Sequence, residues 1–246
     1  METPEYENLE RVEKNHWYYT GKREIVKFWI KRCKPLGSAQ TLLDFGAGSG
    51  LFASEWLGHC QVKVYDSYPQ SQEILRRRFP PECVLDASMP GIPLPDASID
   101  CLTALDVLEH LADDAGTVRE FHRVLRPSGL AVITVPADMK LWSDWDVALL
   151  HYRRYDRRQL TELFDAEKWE IIRVTYKNIF VYPAVYLLRK LRQWRIMSTA
   201  KGNRAEDRVP APLVNRVLRF MYSAPAKTKW FPAPFGVSLL IVARKH

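Results

Sequence analysis

The sharpest chemical signal in this chain is an acid followed by a glycine cluster, with a second acid downstream. The run Leu42-Leu43-Asp44-Phe45-Gly46-Ala47-Gly48-Ser49-Gly50 passes from apolar to acidic to glycine-rich. Such glycines let the main chain take conformations closed to other residues and let a ligand approach the backbone. Asp66 stands twenty residues after Gly46, a spacing at which a carboxylate accepts hydrogen bonds from both hydroxyls of a ribose. Asp44 precedes the glycines. There it would repel a dinucleotide pyrophosphate but could bind, directly or through water, the ammonium of an amino-acid moiety. The run also lacks the GxGxxG spacing that sets a helix N-terminus against phosphate. Nicotinamide or flavin binding is therefore the weaker reading.

These residues need strands and helices to hold them, and the apolar pattern supplies both. Residues 41–45, 61–65, 83–85, 99–104, 130–135, 169–176 and 236–244 read as strands, and 51–58, 71–79, 115–125 and 157–164 as helices between them. Strand alternating with helix implies parallel pairing through right-handed crossovers, hence a doubly wound α/β sheet. Residues 1–40 are expected to form a helical cap, 41–176 the ligand-binding core and 236–246 a terminal strand. Residues 177–235 form an insertion longer than a connection requires, read as a helical lid. At 246 residues and 47% apolar composition the chain suits one domain. Its four cysteines form no CxxC pair, against both a zinc knuckle and a disulfide framework. Its acidic start, Met1 to Glu7, has no apolar run of the secretory kind, so a cytoplasmic location is expected.

Taken in order, the motifs make the chain resemble the class I S-adenosylmethionine-dependent methyltransferases between about Leu42 and Ala137. Asp44 to Gly50 resembles the first motif of that class, and Val64-Tyr65-Asp66 its ribose-binding acidic motif. Asp86-Ala87 resembles the strand-end pair that contacts adenine, and Ala104 to Leu111 the motif beneath the sulfonium. Arg123 to Gly129 resembles the turn into the next strand. The resemblance implies a Rossmann-like, mostly parallel seven-stranded sheet with an antiparallel last strand, and S-adenosylmethionine as cofactor. It implies donor contacts from Asp44, Gly46, Ala47, Gly48, Asp66, Ser67, Asp86, Ala87, Leu105 and Asp106. The run His16 to Arg23 resembles the aromatic-Gly-Arg lead-in of bacterial members, where Tyr19 would close over the methionine chain and Lys22 would meet its carboxylate. Lys22 stands where Arg is more usual and lacks its bidentate fork.

Methyl transfer from a sulfonium is an in-line displacement, so a protein must chiefly align the partners and exclude water. An oxygen or nitrogen acceptor must also lose a proton, which a histidine can take. His110 lies where open α/β folds place ligands, although its competing role is a helix-start hydrogen bond. His151-Tyr152-Arg153-Arg154-Tyr155 resembles a His-x-Arg-Arg-Tyr element of bacterial relatives whose loop faces the acceptor. It makes His151 the favoured base or substrate anchor, with Arg153, Arg154 and Tyr155 as anion-binding or gating neighbours. Asp106, Glu109 and His110 resemble the ligand set of ubiquinone-pathway O-methyltransferases; the same string is widespread without metal, and none is assigned.

Charge divides the chain. Residues 1–140 carry 16 Lys and Arg against 20 Asp and Glu, and residues 141–246 carry 20 against 9. A basic surplus attracts phosphates, anionic lipids or acidic substrates. Within the insertion, the apolar run 179–188 is too short to cross a bilayer, and Arg189, Lys190, Arg192, Trp194 and Arg195 follow it. That pattern suits an interfacial helix at an anionic membrane surface, or two helices packed on each other as a lid. The acceptor is expected to be a small or lipid-linked molecule, methylated at oxygen. Nucleic acid is the lesser alternative, because no Asn-Pro-Pro-Tyr type motif follows the strand 99–104. A non-catalytic adenosylmethionine-binding regulator also fits the donor motifs.

Overall fold

Apolar residues alternate between the two sides of each central strand, and that alternation gives the sheet two buried faces. In a computed structural model describing residues 12–89, 91–193, 209–228 and 233–246, six strands form one sheet. They are β1 (Thr41–Phe45), β2 (Gln61–Tyr65), β3 (Ile99–Leu105), β4 (Leu125–Pro136), β5 (Trp169–Lys177) and β6 (Ser238–Lys245). Their order is β2-β1-β3-β4-β6-β5, with β6 antiparallel to both neighbours and the other pairs parallel.

Eight helices accompany them among the described residues: α1 (Trp17–Cys33), α2 (Leu51–Ser54), α3 (Pro69–Arg78), α4 (Asp114–Val124), α5 (Asp144–Ala148), α6 (Arg157–Glu162), α7 (Tyr182–Gln193) and α8 (Pro212–Lys227). One face of the sheet sends Leu43, Leu102, Ile133 and Ile241 against Val118 and Phe121 of α4 and Leu160 of α6. The other sends Leu42, Cys101, Val132 and Leu240 against α1, α2, α3 and α8. Helices on both faces explain why β1 and residues 130–136 of β4 read as nearly unbroken apolar runs.

The expected seventh strand at 83–85 does not form. Only Val84 bridges to Val64, beside a short 3-10 turn over Pro81–Cys83. Pro80 and Pro81 have no amide hydrogen to give a ladder, and Asp86 immediately turns the chain back by accepting from the Ser88 amide. The antiparallel last strand is present as expected.

The two helices of the insertion take separate places. α8 lies along α1: Trp29 donates its indole hydrogen to the Ala226 carbonyl at 3.0 Å, and Gly21 leaves room for the Tyr222 ring, which a Cβ there would approach to 2.6 Å. α7 reaches the turn after β4, where Tyr182 donates to Asp138 and Arg189 to the Leu141 carbonyl. Trp194, Arg195 and the side chain of Arg192, part of the expected basic cluster, lie outside the described residues. No helix among the described residues is long and apolar enough to cross a membrane.

Phe121 is fully buried between α4 and the sheet, with its ring 5.0 Å from that of Phe45. Phe121→Ala should lower the free energy of unfolding by about 3–5 kcal/mol in urea titrations. A loss below about 1 kcal/mol would contradict this packing.

Candidate active site

β1 delivers Asp44 to the carboxyl end of the sheet and then turns on glycine. Gly46, Gly48 and Gly50 have φ of 69°, 57° and 73°, in the left-handed region that costs other residues energy. At Gly46 a Cβ would stand 2.4 Å from Val107, so the turn presses directly on the loop after β3. Gly48 differs: the space beside it is open within 4 Å, which leaves bare backbone for a ligand. Its amide donates to Asp66 at 2.8 Å, and the Tyr68 amide donates to the other oxygen of Asp66 at 2.9 Å. Burial raises the Asp66 carboxyl above its ordinary range, against those two bonds.

Asp44 is 3% exposed and accepts from the Thr103 hydroxyl at 2.6 Å. Burial pushes its carboxyl up to about 7, although Thr103 and the charge of Lys22 pull the other way. A buried acid poised near neutrality suits a ligand that brings its own positive charge.

Asp106, with φ of 60°, is the meeting point of cap and core. It accepts from Lys22 at 2.8 Å and Tyr18 at 3.0 Å, both on α1, and from Thr134 of β4 at 2.7 Å. Burial opposes its ionisation, but Lys22, Lys177 and the bonds outweigh that and hold the carboxyl well below the usual range. Lys22, expected at the donor's carboxylate, is thus paired with an acid of the core, its ammonium also over the rings of Tyr18 and Tyr19.

Beyond Asp106 lie the histidines. His151 Nδ1 is 3.0 Å from Asp146, a fully buried acid that also receives Arg154 at 2.7 Å and lies 3.4 Å from Arg189. Burial works against Asp146, and His151 and Arg154 overcome it, holding the carboxyl at about 2. The His110 ring stands edge-on to His151 with centroids 4.6 Å apart, and burial, then His151, push it down to about 4. Glu109, His110 and His151 have ligand atoms within 4.8 Å of one another, close enough to share a cation. Asp106 is committed to Lys22, Tyr18 and Thr134, so the string read in the sequence and the grouping in space are different sets.

Other expected residues are placed apart from this group. Tyr155 is buried in the wall and donates to Asp114 at 2.8 Å, and burial with that bond raises its hydroxyl. Arg153 pairs with the same Asp114 at 2.6 Å. Asp86 is exposed beyond β2 with both oxygens turned to Ser88, next to half-buried Ala87; Ser67 is exposed after Asp66. Ala47 and Leu105 are half-buried in the glycine turn and at the end of β3.

Sequence reasoning missed Tyr18, Thr103, Asp146, Lys177 and Tyr222. Lys177 had one available signal, a lysine ending a strand on the ligand side of the sheet. Tyr222 had none, because its neighbours come from a helix two hundred residues earlier.

Residues 43–133 match a family described as a methyltransferase domain. A probable S-adenosylmethionine-dependent methyltransferase of Mycobacterium tuberculosis is 34% identical over 154 residues, covering 61% of this chain and 54% of that protein. A malonyl-[acyl-carrier protein] O-methyltransferase of Serratia marcescens is 31% identical over 100 residues, 40% of this chain and 39% of that protein. The chain thus spans about half the length, or less, of these curated relatives. In fold it is similar to a Thermotoga maritima S-adenosylmethionine-dependent methyltransferase described as a possible histamine N-methyltransferase. The TM-score is 0.62 at 16% identity, over 99% of this chain and 96% of that one.

Because its carboxyl is raised in the fold, Asp44 adds stability at acid pH that is lost as pH rises through about 7. A ligand ammonium favours the ionised acid, so affinity for S-adenosylhomocysteine should climb between pH 6 and pH 8, by at most about tenfold per unit. Asp44→Asn should bind weakly with a flat pH profile and, without ligand, unfold no sooner than the native protein at pH 8. Calorimetry and thermal melts check both; undiminished affinity in the variant would contradict the assignment.

Proposed function

We propose that this chain, which carries a class I S-adenosylmethionine-dependent methyltransferase domain, methylates an oxygen of a small or lipid-linked acceptor, with His151 receiving the acceptor's proton. The observation that carries the proton step is the Asp146–His151 pair. A histidine that gives its Nδ1 hydrogen to a buried carboxylate keeps Nε2 free to accept a proton, and the carboxylate then stabilises the imidazolium. The Arg154 bond keeps Asp146 ionised and in place for that role.

The remaining residues bind and align. Open backbone at Gly48, with Asp66 behind it, fits a ribose, and Asp44 with Thr103 fits the ammonium of the donor's amino-acid end. S-adenosylmethionine supplies the methyl group on a positively charged sulfur. Tyr18, Tyr19 and Lys22 on α1 cover this end of the sheet, which excludes water from the displacement. The O-methyltransferase among the relatives supports oxygen as the acceptor atom.

His151→Ala should lower kcat by about 10²–10⁴-fold while leaving S-adenosylhomocysteine affinity unchanged. The assay follows labelled donor into lipid, polar-metabolite and nucleic-acid fractions of a bacterial extract. Label in a lipid or small-metabolite fraction supports the proposal, and label confined to nucleic acid, or undiminished turnover in the variant, refutes it.

The surface of the insertion supports contact with an anionic membrane. Leu213 and Phe220 on α8 are 71% and 70% exposed, Val214 and Val217 lie between them, and Leu187 and Leu188 of α7 are also exposed. Arg216 and Lys190 stand among these apolar residues, as interfacial binding requires. The protein should sediment with phosphatidylglycerol vesicles more than with phosphatidylcholine vesicles, and Phe220→Glu with Leu213→Glu should abolish the difference. Equal sedimentation with both, or none, would remove membrane contact from the proposal.

A further inference from the structure

Lys177 ends β5 with 1% of its surface exposed, and its amine finds no hydrogen-bond acceptor among the described residues. What it has is the face of the Tyr222 ring, with the centroid 5.8 Å away. A buried ammonium without an acceptor is costly, and folds seldom keep one that serves packing alone. The acids whose charge reaches it are unavailable. Asp106 already serves Lys22, Tyr18 and Thr134, and neither it nor Glu109 hydrogen-bonds the Lys177 amine.

Two more buried polar atoms in this group lack partners: the Tyr222 hydroxyl and Oε2 of Glu109. Lys177 pairs with Ser238 of β6, and Ser238 also pairs with Pro136 at the end of β4. The amine therefore stands at the same end of the sheet as Asp44 and Asp106. Tyr222 and Asn178, the residue after Lys177, also line a pocket whose other walls are Trp17, Phe180, Val181, Leu218 and Met221.

Charge selects what fits. The donor is a cation, and Lys177 is a second cation with no anion of its own. A protonated amine would add a third positive charge, whereas an anionic oxygen can accept from both Lys177 Nζ and the Tyr222 hydroxyl. We propose that Lys177 seats an anionic oxygen of the methyl acceptor, a carboxylate or an ionised phenol. This rests on the methyl-transfer reading above. An oxygen lone pair forms the new O–C bond while the C–S bond breaks and its electrons stay on sulfur. A phenol first gives its proton to His151, a carboxylate has none to give, and Lys177 keeps its protons throughout.

Calorimetry in saturating S-adenosylhomocysteine tests this with octanoate against octanol and 4-nitrophenolate against 4-nitroanisole. The native protein should bind at least one anion about tenfold more tightly than its neutral counterpart. Preference for nitrophenolate alone marks a phenol; preference for octanoate alone marks a carboxylate acceptor and removes the proton step at His151 from the reading above. Lys177→Arg should keep the preference, and Lys177→Met should lose it. Because the methionine relieves a buried unpaired charge, that variant should melt at the same temperature or higher. Lack of preference in the native protein, preference retained in Lys177→Met, or a lower melting temperature in that variant overturns the inference. If the native protein fails to bind S-adenosylhomocysteine, the methyl-transfer reading itself falls; if it binds but shows no anion preference, this inference alone falls.

Discussion

Lys22 reaches from α1 to Asp106 at 2.8 Å, and this ion pair joins the cap to the carboxyl end of the sheet. Both groups are mostly buried, so breaking the pair would strand an uncompensated charge in a poorly polarisable place. The cap is thereby held where Tyr18 also reaches Asp106 and where Tyr19 lies beneath the Lys22 ammonium. α8 depends on the same helix, through Tyr222 against Gly21 and Trp29 to Ala226. This contact, with the apolar packing of α1 and α8 on the sheet, sets the position of two helices and, through them, of the proposed acceptor seat.

Around that pair the acids are held in unlike states by unlike surroundings. Asp106 and Asp146 are ionised because cations meet them, whereas Asp44 and Glu109 are pushed up by burial with too little charge nearby to compensate. The proposed donor end therefore offers an acid whose ionisation an incoming ammonium would favour. The far end offers His151, its orientation fixed by a carboxylate that stays charged. Unlike surroundings for acids in one small site suit them to different proposed tasks.

The proposed donor side is the part most legible from residue order. Asp44 and the glycines are neighbours along the chain on β1 and its turn, and parallel pairing of β2 with β1 brings Asp66 beside them. The seventh strand misled because an apolar triplet at 83–85 looks like a strand, while the two prolines before it limit its ladder to one rung. The acceptor side was legible only in part. His151 stood out by its motif, but its partner Asp146 sits in a helix of five residues that no periodicity marks.

Chain order alone determined the alternating strands and helices, the left-handed glycine turn and the placement of acids on either side of it, because each follows from backbone geometry or side-chain period over a few residues. Tertiary structure decided which charges meet. Lys22 finds Asp106 across 84 positions and Tyr222 finds Gly21 across some two hundred, and Lys177, buried against the Tyr222 ring, meets no acceptor among the described residues. Coulomb energy and desolvation depend on distance in space and on solvent access, and neither quantity is written in the order of residues until the sheet has closed over them.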